Sequence, residues 1–319
     1  MTCDPCAVKS DTAPQIAPIP VPVDLEETET VSTPEISFEF FPPKNLEASF
    51  RLWDTVQSLS PLGPRFVSVT YGAGGTTREL TRDAVTTLHK NSGLKVAAHL
   101  TCVSATRAET LAIADQYAEA GITDIVALRG DPPKDQGSFA PTEDGFASSV
   151  ELIEALAAKG KFNLCVGAYP ESHPEAASQQ ANVDWLKRKL DAGATEALTQ
   201  FFFEAESFFR FRDACAKAGI DTDRITPGIL PIENWKGVRR FAEACGTTIP
   251  AWLDEAFDKA QRDDRCDLLA TALCSELCTE LLEGGVKKLH FYTLNRPELT
   301  RDVCHALGVK SKIRLENVA

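Results

Sequence analysis

The chain has 319 residues, 43% of them hydrophobic, which is enough to support one large core or two ordinary domains. Its 33 Lys and Arg against 46 Asp and Glu leave a formal charge of -13, a field that opposes nonspecific attachment to a nucleic-acid backbone. No apolar run approaches the length that crosses a bilayer, and the N-terminus lacks the basic start and apolar stretch of a secretory signal. A soluble cytoplasmic protein without nucleic-acid or membrane partners is therefore expected. The ten cysteines are spread from Cys3 to Cys304 in a chain whose size needs no disulfides, so reduced thiols are expected.

Residues 1–33 contain repeated Pro, an acidic stretch at Glu26, Glu27 and Glu29, and little periodicity. They read as a flexible tail, with residues 34–319 as one domain. Cys3 and Cys6 form a CxxC inside that tail, away from any βαβ strand, and read as spectators. From Glu35 onward, short β-rich runs alternate with helical patterns. Strands are predicted at Ile36 to Phe40, Phe66 to Thr70, Val96 to Leu100, Asp124 to Leu128, Asn163 to Ala168, Ala197 to Phe201, Arg224 to Ile229 and Lys288 to Tyr292. That count is the one a closed (β/α)8 TIM barrel requires.

Between them, Leu46, Phe50, Trp53, Val56 and Leu59 recur at helical spacing, as do Ile113, Tyr117 and Ala120, each segment ending near a Gly or Pro. The last interval is about twice as long as the others and contains Ile249 to Leu253, so an extra short helix or loop is expected before strand eight. Cys274 and Cys278 share one face of a predicted helix and read as core packing. The architectural alternative is a doubly wound open sheet, but the GxGxxG of its first turn is missing.

Active sites of such barrels collect at the C-terminal ends of the strands. The polar residues there are Glu39, Thr70, His99, Arg129 with Gly130 and Asp131, Tyr169, and Gln200. The Glu39 carboxyl lies among Phe38, Phe40 and Phe41, where desolvation would raise its pKa and suit it to general-acid work. The plainer reading is an inward Glu paired with Arg or Lys. Arg129 would pair with Asp131 or meet an anionic cofactor. His99 would either bond a cofactor or satisfy a buried carbonyl. His290 reads as packing or support for the site, and His173 lies in a loop suited to ligand contact. The Gly72 to Thr77 loop reads as a tight turn or a weak phosphate cradle. Lys187-Arg188-Lys189 reads as a solvated patch or a diphosphate site. Without HExxH or a compact Cys/His set, no metal centre is expected.

The ordered set Phe38-Glu39-Phe40-Phe41-Pro42-Pro43, Phe66 to Gly72, His99 to Cys102, Ala127 to Asp131, Ala168 to Glu171, Thr199 to Phe203, Pro227 to Pro231 and His290 to Arg296 resembles the methylenetetrahydrofolate reductases, specifically the compact bacterial MetF-type enzymes. The resemblance runs from about Ile36 to Val309. It implies noncovalent FAD, reduced by NADH with NADPH as the alternative, then reoxidised by 5,10-methylenetetrahydrofolate in a ping-pong sequence that yields 5-methyltetrahydrofolate. It also implies self-association as a homo-oligomer.

By position, the resemblance makes Glu39 the acid that opens the folate's imidazolidine ring. Asp131 becomes the pterin-binding and flavin-modulating carboxylate, Gln200 a folate-binding amide, and Phe241 the ring against the aminobenzoyl group. The implied FAD envelope is Thr70, His99, Arg129, Gly130, Asp131, Phe146, Ala147, Ala168, Tyr169, His173, Asn182, Arg188 and Lys189, with the basic pair at the diphosphate. The sequence departs from the family pattern at Asn182, Trp185 and Phe146, where an acidic residue, an amide and a Tyr are common. The alternatives are another flavin- or folate-dependent barrel reductase and a non-catalytic metabolite-binding scaffold.

Overall fold

The computed structural model describes residues 33–71, 78–132 and 139–312. The Cys3 and Cys6 pair, the tail up to residue 32 and the Gly72 to Thr77 loop lie outside the described residues. The strands are β1 (Glu35–Phe40), β2 (Val67–Val69), β3 (Val96–Thr101), β4 (Asp124–Leu128), β5 (Asn163–Ala168), β6 (Glu196–Phe201), β7 (Ile225–Ile229) and β8 (Lys288–Tyr292). They close in sequence order into one parallel barrel, β8 pairing back onto β1. The helices are α1 (Leu46–Leu59), α2 (Arg78–Ser92), α3 (Arg107–Glu119), α4 (Ser149–Ala158), α5 (Gln179–Asp191), α6 (Ala205–Lys217), α7 (Trp235–Cys245), α8 (Ala251–Arg262), α9 (Cys266–Glu283) and α10 (Pro297–Ala306). No helix among the described residues is long and apolar enough to cross a membrane.

The (β/α)8 architecture read from the sequence is what the chain forms. The interval before β8 holds more than the expected short element. It contains α8 and the 18-residue α9, and Cys274 and Cys278 face the core from α9. Polar N-caps start the helices where side-chain oxygens meet free N–H groups: Asn45 for α1, Ser178 for α5 and Asn234 for α7, with a full capping box of Thr106 and Glu109 at α3.

One helical stripe departs from the sequence reading. Of the α1 periodic set, Val56 and Leu59 are buried together with Leu52 and Thr55, whereas Leu46 and Phe50 are 71% and 62% exposed. The buried face starts one turn later because α1 reaches the barrel wall only in its second half.

The barrel lumen divides by polarity. Phe66, Ala97, Val126, Cys165 and Leu198 form an apolar plug separate from the outer core between strands and helices. Toward the N-terminal ends, Arg65 holds Glu196 at 2.7 Å. Toward the C-terminal ends the lumen turns polar, so the strand-end groups converge on that side.

The β6–β7 ladder breaks register between Leu198 and Phe201. There Tyr292 Oη donates to Thr199 O at 2.6 Å, and Gly228 N donates to Thr199 Oγ1 at 2.9 Å. Gly228 has no room for a side chain, since a Cβ would lie 2.1 Å from Thr199 O and 2.5 Å from the Tyr292 ring. Gly228→Ala should therefore reduce stability by about 3 kcal/mol through overpacking, read as a lower urea midpoint. An unchanged midpoint would show that the lumen can yield at this point.

Candidate active site

Glu39, next to last in β1, projects into the polar half of the lumen, its side chain 15% exposed. His99 Nε2, from β3, stands 3.1 Å from Glu39 Oε2 without the alignment of a hydrogen bond. His290 Nε2, from β8, is 3.6 Å away, and Ser68 Oγ donates to the same oxygen at 3.4 Å. His290 is held in turn by Ser37 Oγ at 2.8 Å from its Nδ1 and by stacking on Phe66.

The expectation of a raised Glu39 pKa is corrected by this arrangement. Burial alone pushes the carboxyl up, but charge from His99, followed by the contacts of His290, outweighs it and brings the group down to about 2. The partners are neither the Arg or Lys of the plainer reading nor, for His99, a backbone carbonyl.

The backbone around Glu39 is clamped from β8. Thr293 Oγ1 donates to Glu39 O at 2.7 Å, while Asn295 both accepts from Phe41 N and donates to Phe41 O, each at 2.9 Å. Leu294 and Asn295 adopt positive φ to make this turn. Sequence reasoning assigned no role to Ser37, Ser68, Thr293 or Asn295. The signal for Ser68, Thr293 and Asn295 was only their place in quoted motifs, and Ser37 stood in none.

A cavity of about 430 Å³ opens at the C-terminal ends of β3, β4 and β5. Arg129, Gly130, Asp131, Tyr169, His173, Asn182 and Lys189 line it together with Thr101, Gly167 and Trp185. Gly130 adopts φ +86, and a Cβ there would meet Thr101 and Val103 within 2.9 Å, so the turn that leads to Asp131 requires glycine. Tyr169 meets His173 edge-on at 4.7 Å, and Asn182 Nδ2 donates to Tyr169 O at 2.7 Å. Arg129 is bound by Glu175 rather than Asp131 and also lies over Phe139 at 5.0 Å. Thr101 Oγ1 is buried on the cavity wall without a hydrogen-bond partner.

Lys189 is the most unusual charge in the protein. It is 7% exposed, its Nζ donates to Gly167 O at 2.8 Å, and it forms no ion pair with a carboxylate among the described residues. Burial, then repulsion from Arg129, lowers its pKa from 10.5 to about 8.

Other sequence-predicted residues lie off this cavity. Arg188 turns outward and stacks over the Trp185 ring at 4.5 Å, so the basic pair divides. Phe146 is buried beneath Arg107, Ala147 is exposed, and Ala168 is a buried strand position. Thr70 N donates to Phe40 O at 2.9 Å. Gln200 folds back so that its Oε1 accepts from Phe201 N. Phe241, on α7, is 40% exposed and stacks on Phe201 at 5.5 Å. Glu233, beyond β7, went unnoticed in the sequence. Burial pushes its carboxyl up to about 7 against the opposing Arg296.

A model of the family described as methylenetetrahydrofolate reductase matches residues 25–308. The chain belongs to the methylenetetrahydrofolate reductase family. It is 46% identical over 276 residues to the 5,10-methylenetetrahydrofolate reductase of Escherichia coli strain K12, covering 86% of this chain and 91% of that protein. It is 44% identical over 279 residues to the enzyme of that name from Pectobacterium carotovorum subsp. carotovorum, covering 87% and 91%. Among solved structures, an uncharacterized Clostridium thermocellum protein described as binding two copies of 5-methyl-5,6,7,8-tetrahydrofolic acid aligns with a TM-score of 0.57 at 14% identity. That alignment covers 88% of this chain and 96% of that one, and at such low identity it shows a shared fold. Within this reductase family member, the strand-end acid and the buried cation occupy the same end of one barrel.

The buried amine has a measurable signature. Because the folded pKa of Lys189 lies below 10.5, the charged form weakens the ligand-free fold below pH 8, and the penalty fades as pH rises toward 10.5. Lys189→Met should be more stable than the parent at pH 7 by about 2 kcal/mol, after allowance for its lost hydrogen bond. The difference should shrink above pH 8, close between about pH 9 and 10, and reverse by pH 10.5, where only the lost hydrogen bond remains, as read in urea titrations. A variant less stable than its parent at pH 7 would show that the amine is already compensated.

Proposed function

We propose that residues 34–319 form a catalytic domain that reduces 5,10-methylenetetrahydrofolate to 5-methyltetrahydrofolate with electrons from a reduced nicotinamide, through bound FAD. The observation that carries this reading is the pairing of a buried acid cluster at Glu39 with a cavity holding an uncompensated cation at Lys189, in a member of this reductase family. The ligand partners are reduced nicotinamide, with NADH favoured by the compact bacterial pattern, and the folate. Self-association as a homo-oligomer completes the proposal.

The residues present fit FAD. A buried ammonium without a carboxylate suits a diphosphate, the unpaired Thr101 hydroxyl suits a polar ring edge, and the turn at Gly130 brings backbone close to the cavity. When bound, FAD supplies a two-electron carrier that accepts hydride from the nicotinamide and delivers it to the methylene carbon of the folate.

Lys189 would hold the diphosphate, with Arg129 available once an anion displaces Glu175. Thr70, His99, Gly130, Ala168, Tyr169, His173 and Asn182 belong to the wider envelope, and Phe146, Ala147 and Arg188 contribute at its margins. Asp131, exposed at the cavity edge, would accept hydrogen bonds from the pterin and place negative charge beside the redox ring. Gln200 would bind the folate by turning from its own backbone, and Phe241 would offer the open face of its ring to the aminobenzoyl group. The nicotinamide and the folate would use the same face in turn.

Glu39 would supply the proton that opens the imidazolidine ring. With His99 and His290 against one carboxylate oxygen, the proton belongs to the cluster. The histidine neighbours hold the Glu39 carboxyl down at about 2 in the open site. A folate ring covering the cluster would remove the water around it, which favours the neutral carboxyl and so a proton on Glu39.

Glu39→Gln should retain FAD and most flavin reduction by NADH, and should slow reoxidation of the reduced flavin by methylenetetrahydrofolate about 10²–10⁴-fold. Anaerobic rapid mixing of each half-reaction, with folate binding measured separately, reads both. Near-normal folate reduction by the folded, FAD-bound variant would remove Glu39 from the acid role.

A second expectation follows from Lys189. Since a diphosphate favours the charged amine, FAD affinity should fall by up to about tenfold per pH unit above the ligand-free pKa of about 8. In Lys189→Met the affinity should be weaker and the slope absent, as read by flavin fluorescence titration. The same slope in both proteins would assign the pH dependence elsewhere.

A further inference from the structure

The Ala168 to Glu171 motif ends in a carboxylate that the proposed chemistry leaves unused. Glu171 Oε1 accepts from Ser207 Oγ at 3.1 Å, and Oε2 accepts from the backbone N–H of Thr248 at 2.8 Å. Ser207 is buried in the first turn of α6, and Thr248 lies in the connection between α7 and α8. One side chain thus joins three segments: the loop carrying Tyr169 and His173, the helix that follows Gln200 and Phe201, and the far end of the helix that carries Phe241.

The join matters because α7 has a thin hold on the core. Only Val238 and Ala242 are buried along its 11 residues, so beside the Phe241 stack on Phe201 and the Arg239–Asp254 ion pair its ends carry much of its hold. At the start, Trp235 Nε1 donates to Asp254 at 2.9 Å. At the finish, Gly246 takes φ +71 as the C-cap and abuts Pro174, where an added Cβ would lie 3.0 Å from the proline ring. The Glu171 bond to Thr248 fastens the same place two residues on. The Cys245 thiol at the end of α7 is pushed up to about 11 by burial and then by the charge of Asp131.

We propose that Glu171 is a positioning residue: by bonding Thr248 and Ser207 it sets the end of α7, and through α7 the Phe241 ring, against the loop that walls the cavity. The effect on turnover rests on the reading of Phe241 as a folate-facing ring. A carboxylate accepting from a backbone N–H is charge-assisted, so its removal frees the end of α7 more than loss of a neutral contact would.

The test uses the FAD-loaded enzyme. Glu171→Ala should accelerate hydrogen exchange at the Thr248 amide and raise the KM for methylenetetrahydrofolate, each by about tenfold, as expected for loss of a charge-assisted bond. The kcat should stay within about twofold, because no group proposed to touch the reacting atoms changes. Glu171→Gln should restore most of both, since its amide oxygen can accept from Thr248, without the charge, while its NH₂ donates to Ser207 Oγ. On a Phe241→Leu background, Glu171→Ala should add little to KM, because it acts through that ring.

Multiplying effects in the double variant, or a lowered melting temperature without the split between KM and kcat, would overturn the proposal. So would unchanged exchange at Thr248. If Glu171→Ala does not fold, Ser207→Ala removes one of the two bonds and should shift exchange and KM in the same direction by about threefold. If the parent enzyme itself fails to reduce the folate, the functional reading falls. The Thr248 exchange rates in the parent, Ala and Gln proteins then decide the restraint on their own.

Discussion

Closure of β1 onto β8 is the constraint on which the site depends. The register pairs Ser37 with His290 and Glu39 with Tyr292. Because side chains alternate across a strand, a slip of one residue would turn Glu39 toward the helices and bring Phe38 or Phe40 into the lumen. The pairing is short, and the turn after β8 reinforces it. Thr293 and Asn295 bind the backbone of Glu39 and Phe41, so the strand bearing the acid is fixed beyond its ladder as well as along it. The positive φ values at Leu294 and Asn295 are local strain retained because these bonds require that turn.

Within the closed barrel, two opposing effects act on Glu39. Its phenylalanine neighbours and strand-end position impose desolvation, which favours the neutral carboxyl. His99 and His290 answer with charge, and in the resting site charge wins. The balance depends on water, because removing solvent strengthens the desolvation effect on the carboxylate. The apolar plug beneath, from Phe66 to Leu198, leaves solvent access mainly from the C-terminal side. A ligand arriving there can therefore change the protonation of the cluster without any movement of the strands.

Much of the barrel was legible because each strand is a short β-rich run between longer helical patterns. All eight predicted strands match the observed bounds within one residue at each end, and Asp124 to Leu128, Asn163 to Ala168 and Lys288 to Tyr292 match fully. Phe66 and Thr70 were read as strand but flank a three-residue β2, and Arg224 belongs to a 3-10 turn. Such ends depend on which ladder bonds the neighbouring strands can offer, and local sequence does not carry that information.

The α1 stripe misled for a related reason: helical spacing shows that residues share a face, but not where along the helix the barrel wall begins. At the site, strand-end position found Glu39, Asp131 and His99, while the pairing of Glu39 with two histidines required β1, β3 and β8 to be in register. Likewise, Arg188 and Lys189 are adjacent in sequence, and only the direction of each Cβ separates the outward stack on Trp185 from the buried amine.

The two unusual charges at this end of the barrel are compensated in different ways, and the difference bears on what the fold tolerates. Glu39 has two imidazoles and a hydroxyl against its carboxylate, so its burial is supported before any ligand arrives. Lys189 has a backbone carbonyl and a nearby Arg129, which supply a dipole and a repulsion but no opposite charge. A neutral side chain of similar length would be less costly to bury there, which is why the proposed function gives the ammonium an anionic partner. The buried amine is a cost to the ligand-free fold at the β5–α5 wall, where Lys189 bonds Gly167 and Asn182 bonds Tyr169. Binding of a diphosphate there would offset the desolvation of the amine, coupling cofactor retention to the stability of the whole barrel.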